Sequence, residues 1–239
     1  MRKVMKIIAG TLLMIALLAG LVLSMAGPVK GGIRQRYSKA AVKAAEDAMT
    51  SGAGELSFKV PASDALSIDG EEGETDADLK KLLEDMRSLS GEFETLSLIG
   101  ILEIPCINVK EPVWDSCSVN ALRYGVGRYP GTAGIGEPGL CNLFGHRQAG
   151  DIDTKLGSIQ FLAGMPGEQV IVTTIDGVRH EYRIKDTVYV RDAGLMPYLD
   201  PRTFEDETLC VTACGWGEDP LTGDYYPKNT EFIVICKPG

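Results

Sequence analysis

The hydrophobic pattern begins with a long apolar segment. Basic residues at positions 2, 3 and 6 precede residues 7–29, which carry no charge. As a helix these 23 residues would span about 35 Å, enough to cross a bilayer. The pattern predicts an uncleaved membrane anchor with a cytoplasmic N-terminus, here residues 1–29. A cleaved signal peptide is the main alternative, because Ser24-Met25-Ala26 resembles a cleavage site, and a buried core helix is the other.

Residues 30–95 predict a stalk or linker rather than a domain. Ser38 is expected to cap an Ala-rich helix that runs to about Met49. Residues 64–78 are acidic and contain glycine, which is typical of a solvated loop; a Ca²⁺-binding loop is the less favoured alternative. Apolar residues recur at helical spacing from Leu79 to Leu89 and predict a short amphipathic helix.

From residue 96 the pattern changes to short β-like runs separated by Gly and Pro. Asp176-Gly177 lies between two of these runs and is a strong hairpin signal. Many short strands with almost no helical periodicity indicate a mostly β domain over residues 96–239, built as a closed or nearly closed barrel. The predicted strands lie at residues 98–105, 139–145, 168–174, 178–185, 207–214 and 230–237.

Side-chain alternation in the run 207–214 separates an aliphatic face from a more polar one. Leu209, Val211 and Ala213 are expected to face the core, which puts Cys214 on the opposite face. Cys214 also ends the run, just before a Gly-containing loop, where a thiol is accessible enough to act as a nucleophile. From this feature alone a semi-exposed structural cysteine is the favoured interpretation.

The amino-acid composition excludes several classes of function and site. A net charge of −9 argues against a nucleic-acid binder that uses a basic face, and six cysteines in 239 residues are too few for a disulfide scaffold. The only two histidines, His146 and His180, exclude a His-rich metal centre, and no cofactor is expected. His146 follows a predicted strand, whereas His180 lies on the apolar side of its strand and is expected to pack at the rim. Four cysteines are expected in or near the core: Cys106, Cys117, Cys141 and Cys236.

Several motifs occur in a familiar order. Residues 99–105 form an aliphatic opening strand, and residues 139–147 end in Gly-His-Arg. Residues 167–170 are close to Gly-Asp-x-Ile, and residues 211–214 are close to Leu-x-Thr-Cys, with Ala213 in place of the threonine. Over residues 97–237 the chain resembles the sortases, cysteine transpeptidases of Gram-positive cell surfaces, and its opening strands are most like classes C and D.

The resemblance implies a closed barrel of about eight strands with short helices, in which Cys214 is the nucleophile and His146 the catalytic histidine. It also implies a sorting-signal substrate similar to Leu-Pro-x-Thr-Gly and an amine acceptor from the cell wall or a pilin. With residues 7–29 as the anchor, the barrel would lie outside the cell on a single-pass membrane protein.

One position departs from the family pattern. Sortases carry an arginine on the last strand, but this chain has no arginine after Arg202, and Glu231 stands where the arginine is expected. Lys228 or Arg147 could replace it, and Arg128 is a further candidate. A carboxylate would oppose an oxyanion, so a catalytically impaired sortase-fold protein that binds or scaffolds surface proteins is the alternative function. A hydrolytic cysteine peptidase would use the same residues.

Overall fold

The computed structural model describes residues 35–52, 56–61, 93–149, 152–153, 155–191 and 194–239. Helix α1 covers residues 35–51, and helix α2 covers Val119–Tyr124. Within these ranges, 3-10 helices lie at Pro105–Ile107, Lys155–Gly164, Met196–Tyr198 and Pro201–Thr203. The strands are β1 Leu56–Pro61, β2 Phe93–Ile104, β3 Val109–Trp114, β4 Val126–Arg128, β5 Leu140–Phe144, β6 Gln148–Ala149, β7 Ile152–Asp153, β8 Gln169–Thr174, β9 Arg179–Arg191, β10 Thr208–Cys214, β11 Gly217–Glu218, β12 Tyr225–Tyr226 and β13 Thr230–Pro238.

Eight strands close into a barrel in the order β2-β3-β4-β5-β10-β13-β9-β8, and β8 pairs back with β2. The β3–β4 and β5–β10 pairs are parallel, and the other neighbours are antiparallel. At the closing seam Gly100 lies opposite Thr174, and a Cβ at position 100 would lie 2.5 Å from the Thr173 carbonyl oxygen. Glycine therefore allows the seam to close. The predicted mostly β fold and its closed eight-stranded barrel are confirmed.

The barrel interior is filled by the alternating apolar residues that the sequence indicated. Leu209, Val211 and Ala213 of β10 lie in one buried cluster with residues from the other barrel strands. The opposite face of β10 is buried as well, because Leu122 of α2 and the segment around Leu195 cover it. Burial on this second face depends on tertiary contacts, which the alternation of one strand does not reveal.

Part of the predicted stalk region packs onto the barrel. Strand β1 adds to the edge of β2, and Ala41 and Ala45 of α1 are buried in a cluster with Trp114. Ser38 lies inside α1 and donates a 2.6 Å hydrogen bond to the buried Glu111 carboxylate. Ser38 was predicted to cap the helix; that prediction is wrong because its hydroxyl is used in a tertiary contact.

Three sequence predictions fall on other parts of the chain. The anchor at residues 7–29, the acidic loop at residues 64–78 and the amphipathic helix from Leu79 to Leu89 lie outside the described residues. Among the helices that the structure does describe, none is long and apolar enough to span a membrane.

The hairpin and the cysteines can be checked directly. Gly177 adopts φ 85° in the turn between β8 and β9, which confirms the Asp-Gly hairpin. Cys117, Cys141 and Cys236 are buried as predicted, and all six cysteines are free thiols. Cys106 is exposed, so its predicted core position is wrong. It lies in the Pro105–Ile107 turn at a barrel corner, where none of the three residues is buried.

Candidate active site

Cys214 and His146 lie at the same end of the barrel because β5 and β10 are parallel neighbours. Thr212 pairs with Phe144, and the Gly145 N–H donates a 2.9 Å hydrogen bond to the Thr212 carbonyl. The C-terminal ends of both strands therefore lie at the same rim of the barrel, which we call the Cys214 rim. His146 and Cys214 each follow the last pairs of this ladder, and both are partly exposed.

Packing favours a glycine before His146. A Cβ at position 145 would lie 2.1 Å from Leu156 Cδ1 and 3.1 Å from a Val126 methyl group. Leu156 is buried in the 3-10 helix that follows the histidine segment. The close approach of this side chain to the backbone fixes the path of the chain that leads into His146.

A buried polar contact joins the two strands below the rim. Thr212 Oγ1 donates a 2.8 Å hydrogen bond to Asn142 Oδ1, and Asn142 Nδ2 donates to the Tyr198 carbonyl at 2.8 Å. Thr212 and Asn142 are fully buried. Satisfied polar contacts of this kind fix one register in a buried site. Sequence reasoning missed Asn142, because its partners lie 56 and 70 residues away.

Glu231 lies directly opposite Cys214 in the antiparallel β10–β13 ladder. The carboxylate therefore occupies the cross-strand position beside the thiol, where the arginine was expected. Desolvation by burial and the Glu231 charge raise the pKa of the Cys214 thiol above its usual value. Both effects reduce the thiolate fraction at neutral pH.

Arg147 opposes this effect. Its charge lowers the pKa of Cys214, although not enough to cancel desolvation and Glu231. Arg147 Nη1 donates a 2.6 Å hydrogen bond to the Trp216 carbonyl, and its guanidinium carbon lies 5.8 Å from the centre of the Trp216 ring. The arginine is thus held against the loop that follows Cys214.

The other candidate cations lie elsewhere. Lys228 is exposed in the loop before β13, and its charge is not among those that shift the pKa of Cys214. Arg128 ends β4 at the opposite end of the barrel and binds Asp115 through a 2.9 Å Nε–Oδ1 hydrogen bond. Among the three cations, Arg147 is the one that acts on Cys214.

His180 is near the beginning of β9, at the end of the barrel opposite the Cys214 rim, and it packs over Gly136. A Cβ at position 136 would lie 2.1 Å from the His180 ring. His180 is therefore remote from Cys214 and partly buried, as the sequence analysis expected of a rim residue. Within the described ranges, no group of three or more His, Cys, Asp or Glu side chains could hold a metal ion.

Comparison with known families identifies the barrel. The family model described as "Sortase domain" matches residues 102–237, which is more than half of the chain. The chain belongs to the sortase family. Sortases are cysteine transpeptidases, so the family assignment agrees with the rim that carries a cysteine and a histidine. A search of curated proteins found no match.

Solved structures similar to this sortase have low sequence identity to it. A Clostridium perfringens sortase D5 transpeptidase is 20% identical over 68% of this chain and 87% of its own, with a TM-score of 0.48. A pilus-related sortase C of Group B Streptococcus is 18% identical over 59% and 67%, with a TM-score of 0.49. A lid mutant of Corynebacterium diphtheriae sortase A is 16% identical over 87% and 94%, with a TM-score of 0.50. At such identity the likeness concerns the fold alone.

Proposed function

We propose that this sortase is a membrane-anchored transpeptidase in which Cys214 is the nucleophile, His146 the general acid and Arg147 the cation that replaces the strand arginine. The observation that carries the proposal is the parallel β5–β10 pairing, which puts the ends of both strands at one rim. The uncharged stretch at residues 7–29 supports the anchor. With a cytoplasmic N-terminus, a single span would leave the barrel on the outer side of the membrane.

Membership of the sortase family supports the proposed substrate class. The donor is a sorting-signal peptide similar to Leu-Pro-x-Thr-Gly, and the acceptor is an amine of the cell wall or of a pilin. The Cys214 thiolate attacks the scissile carbonyl, a carbon–sulfur bond forms, and the carbon–nitrogen bond breaks. Protonated His146 gives its proton to the departing amine. The acceptor amine then attacks the thioester, passes a proton to His146 and releases the thiolate.

Arg147 has two parts in this reaction. It increases the fraction of Cys214 that is thiolate, since its charge lowers the pKa of the thiol. A cation at the rim also stabilises the negative oxygen of the tetrahedral intermediate. The 2.6 Å bond to the Trp216 carbonyl holds the guanidinium at the loop after Cys214, which supports Arg147 over the exposed Lys228.

The test is thioester capture. The full chain in detergent is incubated with a small library of Leu-Pro-x-Thr-Gly-like peptides, and the adduct is located by mass spectrometry. We expect an acyl group on Cys214 that is absent from Cys214→Ala and unchanged in Cys106→Ala, which removes an exposed thiol outside the site. A folded, reduced protein that forms no adduct with any peptide would contradict the proposal.

Glu231 favours the second candidate function, a catalytically impaired sortase-fold protein that binds or scaffolds surface proteins. The carboxylate opposite Cys214 disfavours the thiolate. A thiol at the reference pKa is only about 3% thiolate at pH 7, and a raised pKa lowers this further. Under this alternative, Cys214 would react with iodoacetamide no faster than a free thiol, His146→Ala would not change the rate, and sorting peptides would bind without forming a thioester.

A further inference from the structure

A buried polar network lies behind the residue that follows the nucleophile. Gln160, on the 3-10 helix Lys155–Gly164, is 2% exposed. Its Nε2 donates to the Gly215 carbonyl at 3.1 Å and to the Tyr189 hydroxyl at 2.9 Å. Tyr189 in turn donates to Asp219 Oδ2 at 2.6 Å. Both amide hydrogens of Gln160 are used, so the network has a defined donor direction.

The far end of the network is an ionised carboxylate. Burial alone would raise the pKa of Asp219, but Tyr189 and the Leu221 and Thr222 N–H groups hold it below its usual value. The two backbone donors lie 2.7 and 3.0 Å from Asp219 Oδ1. Burial and the Asp219 carboxylate raise the pKa of Tyr189, so the tyrosine keeps the proton that it donates.

Aromatic residues pack closely around Gly215. The Tyr189 ring stacks on Tyr226, with ring centres 3.8 Å apart and planes 9° apart. A Cβ at position 215 would lie 2.8 Å from the Phe232 nitrogen and 3.0 Å from Tyr189 Cδ1. Only glycine fits there, and the Gly215 N–H is bound to the Thr230 carbonyl at 2.7 Å. Gly215 is therefore held through its N–H, through its carbonyl and by the close packing around its Cα.

The orientation of this peptide has a chemical consequence. In a planar trans peptide the N–H points opposite to the C=O. Because the Gly215 carbonyl accepts from buried Gln160, the Trp216 N–H of the same planar peptide points away from Gln160. Among the described residues, this N–H donates to no backbone or side-chain acceptor. A preorganised backbone N–H near a nucleophile is the usual donor to an oxyanion.

We infer that Gln160, Tyr189 and Asp219 form a positioning network that aims the Trp216 N–H at the oxyanion formed when Cys214 attacks a carbonyl. The inference rests on the proposed function of the rim and adds to it a donor from the main chain. Gln160 does not touch the substrate in this arrangement; it acts through the Gly215–Trp216 peptide.

Two reactions of the Cys214 thiol distinguish a loss of oxyanion positioning from a general disruption of the site. In acylation by p-nitrophenyl acetate, the Cys214 thiolate attacks the carbonyl carbon, passes through an oxyanion and releases p-nitrophenolate. In alkylation by iodoacetamide, the thiolate displaces iodide and no oxyanion forms. The full chain is used in a Cys106→Ala background, so that the exposed second thiol does not contribute. Mass spectrometry counts modification at Cys214.

The network variants are Gln160→Met and Tyr189→Phe, and Gln169→Met is the matched control. Gln169 is a glutamine of β8 whose side chain donates to Glu181 rather than to a residue of the network. We expect Gln160→Met to slow acylation about tenfold to hundredfold and to leave alkylation within about twofold. Tyr189→Phe should slow acylation less, and its effect should not add to that of Gln160→Met. Gln169→Met should change neither rate.

The contrary results are distinct. Acylation at the wild-type rate in both network variants would overturn the inference, as would equal slowing of acylation and alkylation, which is the pattern of general disruption. If Gln160→Met does not fold, Tyr189→Phe supplies the same comparison. A wild-type Cys214 that the ester acylates but no sorting peptide does would contradict the proposed substrate alone. A wild-type Cys214 that the ester acylates no faster than a free thiol would contradict both.

Discussion

Arg128 and Arg147 lie at opposite ends of one barrel, and they bind different partners. Arg128 binds Asp115 and also donates to the Thr132 carbonyl at 3.1 Å, beside a pocket of about 400 Å³. Arg147 is bound to a neutral carbonyl, and its charge reaches the Cys214 thiol. The comparison teaches that the surroundings distinguish two arginines: Arg128 is paired with a carboxylate, whereas the charge of Arg147 lowers the pKa of Cys214.

The histidines offer the largest test of this contrast. In the proposed mechanism His146 donates a proton to the leaving amine, so we expect His146→Ala to slow peptide acylation of Cys214 by about 10²- to 10⁴-fold. His180→Ala, at the opposite end, should leave the rate unchanged. Single-turnover thioester formation, measured by mass spectrometry, compares the two variants. An equal loss in both would remove the distinction between the two ends.

The arginines come next. Arg147→Met raises the pKa of Cys214 and removes a cation from the oxyanion, so acylation should fall by about 10²-fold. Arg128→Met should keep the wild-type rate but lower the free energy of unfolding by about 1 kcal/mol, because Asp115 loses its partner. Urea denaturation measures the expected loss of stability in Arg128→Met, and the acylation assay measures the expected loss of activity in Arg147→Met. Activity loss in Arg128→Met, without a stability loss, would contradict it.

Charge at Glu231 gives a smaller effect with a defined sign. The carboxylate raises the pKa of Cys214, so Glu231→Gln should lower that pKa and shift the alkylation–pH curve to lower pH. At pH 7 iodoacetamide should react about tenfold faster. Glu137→Gln, at the opposite end, is the control and should leave the curve in place. An unshifted curve in Glu231→Gln would show that the carboxylate does not control the thiol.

Thr212→Val tests the buried contact below the rim. The substitution leaves Asn142 Oδ1 without its donor and should cost about 1 to 3 kcal/mol in the free energy of unfolding. The alkylation rate of Cys214 should change little in the folded protein. Thr222→Val, on the exposed loop, provides a control that should cost much less. Equal costs for the two variants would mean that the Thr212–Asn142 bond adds nothing to stability.

Local patterns were enough to predict most barrel strands. Period-two alternation and turn residues located β2, β5, β8, β9, β10 and β13, because each carries apolar residues on the interior face. Strand β3, which contains Glu111 and Pro112, was missed, and so were strand β1 and the three-residue β4. Strands β1 and β4 depend on pairing partners rather than on their own pattern. Cys106 was misplaced because a small apolar side chain at a barrel corner has the same local signature as one in the core.

Within the candidate site, only the residues that belong to a recognisable sequence motif could be predicted. Cys214 and His146 lie in motif segments at strand ends, whereas Gln160, Tyr189 and Asn142 resemble ordinary polar or aromatic residues in the sequence. Their partners lie from 29 to 70 residues away, so only the folded barrel brings the groups together. Their polar atoms contribute to stability because a buried polar group without a hydrogen-bond partner costs free energy.

The parallel pairing of β5 and β10 also determines when in folding His146 and Cys214 reach the same end of the barrel. His146 and Cys214 are 68 residues apart, and parallel neighbours cannot be joined by a tight hairpin. Contacts of such long range must overcome a large loop-closure entropy and are slow to form. An extended or half-folded chain therefore holds the cysteine and the histidine far apart. The rim that carries both side chains exists only after the barrel has closed.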